Sequence, residues 1–342
     1  MDKTDILSLK YAELEREILA MGEKAFRAKQ IYEWLHVKRV TEFEQMSNIS
    51  AQLRGRLVEK FYINSLKIKK RLVSNIDNTV KYLYGLDDGE SVETVLMEYK
   101  HGNSLCISTQ VGCKMGCRFC ASTIAGWVRN LAPSEMLGQI YETERDSGRH
   151  VDSVVLMGIG EPLDNFDNVV TFLKILNSEG TGMSLRHLSL STCGLVDRIY
   201  QLAELRLGIT LSVSLHAAVD EKRSEIMPIN GKYNLSELMR ACDDYFAATG
   251  RRISFEYSLI EGVNDGEEDA RELIALLGRK NCHVNLIPVN EVSEREFRKS
   301  RFAERFRRQL TEAGINATVR RTLGADINAA CGQLRREDKE IQ

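Results

Sequence analysis

The chain is short of the features that mark disordered, membrane-spanning or strongly polyanion-binding proteins. It has four prolines in 342 residues and no low-complexity tract, so long unstructured segments are not expected. No run of about 18 apolar residues exists, which leaves no candidate membrane helix. The opening residues, Met-Asp-Lys-Thr-Asp, lack the apolar core of a secretory signal, so a cytoplasmic protein is expected. Neither charge dominates: 47 Lys and Arg face 49 Asp and Glu, a net charge of −2. The bulk basic footprint of a nucleic-acid binder is therefore missing, and any RNA contact has to come from local patches. No solenoid-type repeat is present.

What the chain does have is cysteine. Eight cysteines in a reducing compartment argue for metal or redox chemistry rather than a disulfide scaffold. Four of them fall in residues 104–120, Ser-Leu-Cys-Ile-Ser-Thr-Gln-Val-Gly-Cys-Lys-Met-Gly-Cys-Arg-Phe-Cys, the last three within eight residues. Leu105–Thr109 is short, apolar and β-branched and reads as a strand. It runs into a glycine-containing loop holding Cys113, Cys117 and Cys120, and a helix begins near Pro133. Three thiolates this close can converge on one metal centre, yet a closed zinc site wants four N or S ligands and a closed iron–sulfur cluster four cysteines. Two readings follow: a cluster with one iron left open, or a zinc site completed by Cys106.

Residues 1–62 form a helical module by pattern, with Leu14, Ile18 and Leu19 on one face and a break at Gly22. Phe26, Ile31, Trp34 and Leu35 continue the apolar stripe, and Ser47-Asn-Ile-Ser caps a further helix carrying Leu53, Leu57 and Val58. Phe26, Trp34 and Phe43 are expected in the core. Lys24, Arg27, Lys29, Lys38 and Arg39 give the module an outer basic side that can hold RNA, although such runs are usually solvated faces. Residues 63–103 switch to period two, with Asp87-Asp88-Gly89 as a hairpin turn, and predict a small antiparallel β extension. Glu93 lies on its last strand, where a solvated carboxylate is the plain expectation.

Residues 104–342 alternate strands and helices. Strands are predicted at Leu105–Thr109, Ser153–Met157, His187–Ser191, Thr210–Leu215, Ile253–Leu259 and His283–Val289, with helices around 134–146, 168–178, 196–205, 235–248, 267–277 and 297–313. This is an α/β rhythm calling for a parallel sheet, and six units are too few to close an eight-stranded barrel. An open, partial (βα)6 barrel is predicted. In such folds the chemistry collects at the carboxyl ends of the strands. Those ends read Cys113 to Cys120, Gly158-Ile-Gly-Glu-Pro, Ser191-Thr-Cys-Gly, Ser214-Leu-His and Pro288-Val-Asn. Small or polar residues thus follow five of the six apolar runs.

Gly158-Ile-Gly-Glu-Pro lacks the third glycine of a dinucleotide fingerprint, but its glycines allow close backbone approach and Glu161 offers a carboxylate to an ammonium group. His216 by itself reads as a core histidine. Cys193, Cys242 and Cys282 read as inert small hydrophobes. Cys331, between Ala330 and Gly332 after a short strand, has neighbours small enough to leave a thiol accessible.

Cys-x3-Cys-x2-Cys after the first strand is similar to the signature of radical S-adenosylmethionine (SAM) enzymes. The resemblance then narrows: Gly22-Glu-Lys-Ala-Phe-Arg-Ala-Lys-Gln-Ile, Cys106 through Cys120, Met157-Gly-Ile-Gly-Glu-Pro-Leu-Asp-Asn, Ser214-Leu-His-Ala-Ala, Arg252-Ile-Ser-Phe-Glu-Tyr, Cys282-His-Val-Asn-Leu-Ile-Pro-Val-Asn and Ala329-Ala-Cys-Gly-Gln-Leu resemble, in order and over nearly the whole chain, the RlmN/Cfr family of radical-SAM RNA adenosine methyltransferases. The RlmN branch, acting on C2 of an adenosine in 23S rRNA and in tRNA, is the nearer one. Ala218 departs from the proline common after Ser-Leu-His-Ala and touches no expected role.

The resemblance implies one [4Fe-4S] cluster held by Cys113, Cys117 and Cys120, and SAM held by Gly160, Glu161, Ser191, Ser214, Leu215, His216 and Asn290. It implies that a first SAM methylates Cys331 and a second yields a 5′-deoxyadenosyl radical that activates this methyl for addition to C2. The adduct ties RNA to Cys331 until Cys106 attacks its sulfur and leaves a disulfide; Glu93 is implied as proton acceptor, with Cys106 also considered for that step. A splayed-out target base, an electron donor such as flavodoxin or ferredoxin, and a monomer are expected. Backbone contacts to RNA are expected from Lys67, Lys69, Lys70, Arg71, Arg129, Arg320 and Arg321. The competing readings are Cfr-type methylation at C8, a zinc-stabilised RNA-binding protein without catalysis, and a radical-SAM enzyme acting on a small molecule or peptide.

Overall fold

The computed structural model describes residues 3–178, 181–278, 280–290 and 296–329; Cys331 lies outside them. The chain opens with a two-residue strand β1 (Thr4–Asp5), helices α1 (Tyr11–Ala20), α2 (Ala25–His36) and α3 (Ala51–Lys60), and strand β2 (Phe61–Tyr62) paired with β1. Gly22 makes the expected break with φ of 76°, and Ser50 Oγ caps α3 by accepting from Leu53 N at 3.3 Å. Phe43 is buried as expected, but Phe26 is 51% exposed and Leu19 48%. The α1 and α2 stripes are narrower than their apolar spacing suggests, because each helix is covered on one side only. The module is fastened to the rest through Tyr32 Oη and Ser178 Oγ at 2.8 Å and His36 Nδ1 and Tyr141 Oη at 2.9 Å.

The remaining strands are β3 (Lys67–Val73), β4 (Val80–Gly85), β5 (Ser91–Tyr99), β6 (Gly102–Cys106), β7 (Gln110–Gly112), β8 (Trp127–Asn130), β9 (Ser153–Leu156), β10 (Leu188–Thr192), β11 (Thr210–Ser214), β12 (Ile253–Leu259), β13 (Cys282–Pro288) and β14 (Asn316–Val319). The helices are α4 (Pro133–Ser147), α5 (Phe166–Leu176), α6 (Val196–Glu204), α7 (Asp220–Ile226), α8 (Leu235–Thr249), α9 (Glu267–Leu277) and α10 (Ala303–Glu312). Ten strands form one sheet in the order β14-β13-β12-β11-β10-β9-β6-β5-β4-β3. From β6 to β14 every neighbour is parallel, while β3, β4 and β5 extend it antiparallel. Among the described residues the sheet keeps two free edges, so this is an open, partial parallel barrel with a seventh parallel strand, β14. The antiparallel extension is continuous with it rather than a separate sheet.

Strand composition explains the layers. Leu188, Leu190, Leu211, Val213, Phe255, Val284 and Leu286 are buried against the helices. The alternate positions carry Ser189, Ser191, Ser212, Ser214, Ser254, Glu256, Ser258, His283 and Asn285. Register aligns them across the sheet, Ser191 with Ser212, Ser212 with Ser254, and Glu256 with Asn285, so they share one face. Parallel strands buried on both faces are usually hydrophobic throughout. Here the inner face is hydroxyl-lined.

Candidate active site

The cluster loop hangs between β7 and β8, a hairpin that the strand pattern does not reveal. Gly112 has φ of 77°, and a Cβ there would sit 1.8 Å from Gly126 O; only glycine closes this hairpin. Within the loop, Cys120 N donates to Cys117 O at 3.1 Å and Thr123 Oγ1 to Cys120 O at 2.9 Å. Arg118 N donates to Ile226 O at 2.9 Å, tying the loop to α7.

Cys113, Cys117 and Cys120 form no disulfide among the described residues, Cys113 being buried and the other two half-buried. Burial pushes the Cys113 thiol up to about 12, with Cys120 and Glu161 adding to it. Cys117 is pushed higher by burial and then by Cys120 and Cys113. The sulfurs lie within electrostatic reach of one another, and Arg223 opposes the rise at Cys117 without cancelling it, so thiolates here call for more positive charge. Cationic iron supplies that charge, so the donor set fits a cluster. Among the described residues no three His, Cys, Asp or Glu side chains close on one ion.

Gly158-Ile-Gly-Glu-Pro sits at the end of β9, but its glycines serve the protein. A Cβ on Gly158 would meet Ile107 O at 2.6 Å, and one on Gly160 the Cβ of Gln110 at 2.6 Å. Glu161 is buried and its carboxylate faces backbone: Oε1 accepts from Leu163 N at 3.0 Å and Oε2 from Cys193 N at 2.7 Å. Burial raises its pKa, the Cys193 and Leu163 amides and the Thr192 hydroxyl opposing. Gln110 joins this turn to the hairpin, accepting from Glu161 N at 2.8 Å and donating to Asn130 Oδ1 at 2.8 Å and Asp164 Oδ2 at 2.7 Å.

His216 is buried with φ of 59°. Its Nδ1 accepts from Ser258 N at 2.8 Å; since an amide only donates, the ring proton is on Nε2. Burial, then Arg223, brings its pKa down to about 3, so the ring is neutral. It packs edge-on against Phe119, at 4.8 Å between centroids. Leu215 is fully buried; its carbonyl accepts from Arg223 Nε at 3.1 Å. Ser191 and Ser214 lie half-buried on the inner face, and Asn290 is exposed.

A cavity of about 600 Å³ is lined by Cys106, Phe119, Cys120, Met157, Ser258 and Asn290, and closed by Arg320 to Ala325, Asn328 and Ala329. It brings together Cys106, Cys120 and Asn290. Gly160, Glu161, Ser191, Ser214, Leu215, His216, Cys113 and Cys117 are not among its lining residues. Glu93 departs from the solvated carboxylate expected of it. It is 2% exposed and pairs with fully buried Lys81, Nζ to Oε2 at 2.9 Å. Ser91 to Met97 are buried at every position, so both faces of β5 are covered there and the expected wet face does not exist. Sequence reasoning also missed Arg223 on α7, whose guanidinium donates to Leu215 O, Ser214 O at 3.2 Å and Cys193 O at 2.8 Å. The usable signal for the inner face was repetition, Ser189-x-Ser191, Ser212-x-Ser214 and Ser254-x-Glu256-x-Ser258.

Several expected RNA-contacting cations are engaged elsewhere. Arg129 binds Glu135 through two hydrogen bonds of 2.8 Å and also reaches Asp88. Arg39 pairs with Glu144 and stacks over Tyr141, and Arg71 pairs with Asp146 at 2.8 Å. Lys67, Lys69 and Lys70 are exposed on edge strand β3, and Arg320 and Arg321 line the cavity.

The open parallel barrel with three thiols on its first loop defines a radical-SAM enzyme. Residues 107–274 match the family description "Radical SAM superfamily", and residues 4–63 match "Ribosomal RNA large subunit methyltransferase N-terminal domain". The chain is 52% identical over 338 residues to a probable dual-specificity RNA methyltransferase RlmN of Lachnoclostridium phytofermentans, covering 98% of this chain and 95% of that one. It is 52% identical to the protein of the same description from Clostridium perfringens, covering 97% and 96%. A radical SAM methyltransferase from Sphaerobacter thermophilus superposes with a TM-score of 0.92 at 39% identity, covering 96% and 98%. The chain belongs to the RlmN/Cfr family of radical-SAM RNA methyltransferases.

Proposed function

We propose that this enzyme methylates C2 of an adenosine in 23S rRNA and in tRNA, with Cys331 carrying the methyl group and Cys106 freeing the product. One observation carries the reading: Cys106 and Cys120 line a single cavity whose wall also includes Ala329. Cys331 follows Ala329 by two residues, and a chain spans at most roughly 3.6 Å per residue. When bound by Cys113, Cys117 and Cys120, a [4Fe-4S] cluster with SAM supplies a hydrogen-abstracting radical. Gly160, Glu161, Ser191, Ser214, Leu215, His216 and Asn290 form and support the SAM site. Neutral His216 offers a donor at Nε2, and Glu161 holds the ends of β9 and β10 in register.

C2 of adenine is an electron-poor carbon, so it does not attack a sulfonium methyl directly; a thiol that carries the methyl first solves this. Glu93 takes the C2 proton from the adduct, and the one electron left unpaired by radical addition would return to the cluster that had given up an electron to cleave SAM. The Cys106 sulfur then attacks the Cys331 sulfur, the S–S bond forms, and the bond from Cys331 to the new methylene breaks. The electron pair returns to the base, whose methylene takes up a proton. Residues 1–62 and the exposed lysines of β3 contact RNA backbone. The enzyme works as a cytoplasmic monomer reduced by a flavodoxin or ferredoxin; among the described residues no helix is long and apolar enough to cross a membrane.

The test is Cys106→Ala in anaerobically reconstituted enzyme. Protein should accumulate covalently joined to RNA through Cys331. Continued methyl transfer with no crosslink would remove the resolving role. Mass spectrometry of the product nucleoside distinguishes C2 from C8, the Cfr-type outcome.

A further inference from the structure

Lys81 is fully buried on β4. Its cross-strand partner on β5 is Val95, which places Glu93 diagonally opposite, within reach of a long side chain. The ammonium does two things at once. It pairs with Glu93 Oε2 at 2.9 Å and donates to Asn328 O at 2.8 Å. Val95 and Met97, two and four residues beyond Glu93 on the same face, line the cavity with Cys106 and Asn328. The pair therefore lies beneath the cavity wall, covered by the segment that follows β14.

Such a pair is a poor way to gain stability. Removing two charges from water costs about as much as their attraction returns, and an apolar pair of similar shape is often at least as stable. What a buried lysine provides is a fixed point: an ammonium that donates along several directions and cannot drift into solvent. Here those directions lead to the carboxylate on β5 and to a backbone carbonyl three residues before Cys331. The segment is otherwise held from outside the cavity, by Asp326 to Ser74 Oγ at 2.6 Å and by Gly324 N to Asp77 Oδ2 at 2.8 Å.

We propose that Lys81 is a positioning residue, which uses one ammonium to hold the Glu93 carboxylate and the Asn328 backbone in a set relation. It thereby fixes the proton acceptor relative to the thiol that carries the methyl. This rests on the roles given above to Glu93 and Cys331. Lys81 touches no substrate; it acts through the two groups it holds, and misplacement by about 1 Å suffices to cost on the order of a hundredfold in rate.

The experiment uses Lys81→Met, which keeps the length and removes the charge, and the double variant Lys81→Met with Glu93→Leu, which removes both buried charges and retains an apolar pair. Hydrogen exchange, measured without substrate or SAM, reads residues 320–329. Both variants should exchange faster there while β10 to β12 keep wild-type protection. The double variant keeps this measurement available where the single one does not fold. In the reconstituted holoenzyme, Lys81→Met should lower kcat for methyl transfer by about a hundredfold with little change in KM for RNA, and raise the ratio of 5′-deoxyadenosine to methylated product. Wild-type exchange at 320–329 in the double variant, or an unchanged product ratio in Lys81→Met, overturns the proposal. Cys331→Ala, run in parallel, separates the two readings: methyl transfer by that variant removes the reaction scheme, while the exchange result still judges the hold of Lys81 on the segment.

Discussion

Asp326 and Ser74 meet at 2.6 Å although 252 residues separate them. Asn75 N also donates to the Asp326 carboxylate, at 2.8 Å. Asp326 follows β14 at one edge of the ten-stranded sheet, and Ser74 follows β3 at the other. The two edges of the open barrel are thus joined by a strap rather than by strand pairing, and the strap forms part of the cavity wall.

The cluster loop depends on Gly112. Gly112→Ala places a methyl group on the Gly126 carbonyl, and the hairpin must open to accommodate it. Iron bound per chain after anaerobic reconstitution is expected to fall sharply, with circular dichroism unchanged. Gly22→Ala is the control: its φ is 76° with nothing within 4 Å of the added Cβ, so it carries only the left-handed strain of about 1–2 kcal/mol. That variant should load iron fully. Full loading in Gly112→Ala as well would dissociate the hairpin from cluster binding.

His36 gives the fold a pH dependence. Burial, then Arg39, brings its pKa from 6.5 down to about 3, and its Nε2 has no partner among the described residues. The unfolded chain takes up a proton below 6.5 that the folded protein refuses until about 3. The contribution is therefore intact above 6.5 and lost progressively as pH falls through that window, by up to about 1.4 kcal/mol per pH unit. Thermal unfolding should show a smaller drop in Tm between about pH 7.5 and about pH 5.5 for His36→Gln than for wild type. Equal drops would assign the acid sensitivity elsewhere, His216 being the next group to examine.

The lysines of β3 carry the expectation about RNA. Replacing Lys67, Lys69 and Lys70 with alanine should lower the slope of log affinity against log salt by about 2, since each phosphate contact contributes roughly 0.7 to 0.9. Arg129→Ala should leave the slope unchanged and lower Tm, because its partners are Glu135 and Asp88. A slope that ignores the lysines would move the RNA contact off this edge.

Much of the architecture was legible because it is written locally. Alternation in Leu188–Thr192 and Thr210–Ser214, the polar cap of α3 and the three-cysteine loop each depend on neighbours in sequence. What escaped depends on partners far away. Nothing near Glu93 announces Lys81, and nothing near Arg129 announces that Glu135 and Asp88 claim it. α7, seven residues long, is too short to display helical periodicity, so Arg223 went unnoticed. The Gly158-Ile-Gly-Glu-Pro turn was legible as a motif, but not that its glycines fit the backbone of Ile107 to Gln110 and its carboxylate meets two amides. The placement of Cys331 is outside what the described residues address.

The hydroxyl-lined inner face has a further consequence. An oily interior of this size would tend to shrink when vacant, since voids between apolar walls forfeit contacts. Serine walls can instead be wetted at little cost, each water bonding to the side chains around it. Rigidity is supplied from behind, by the leucine and valine layer against the helices. That face therefore keeps its shape through the layer behind it, and a polar group arriving there displaces water rather than prising the strands apart.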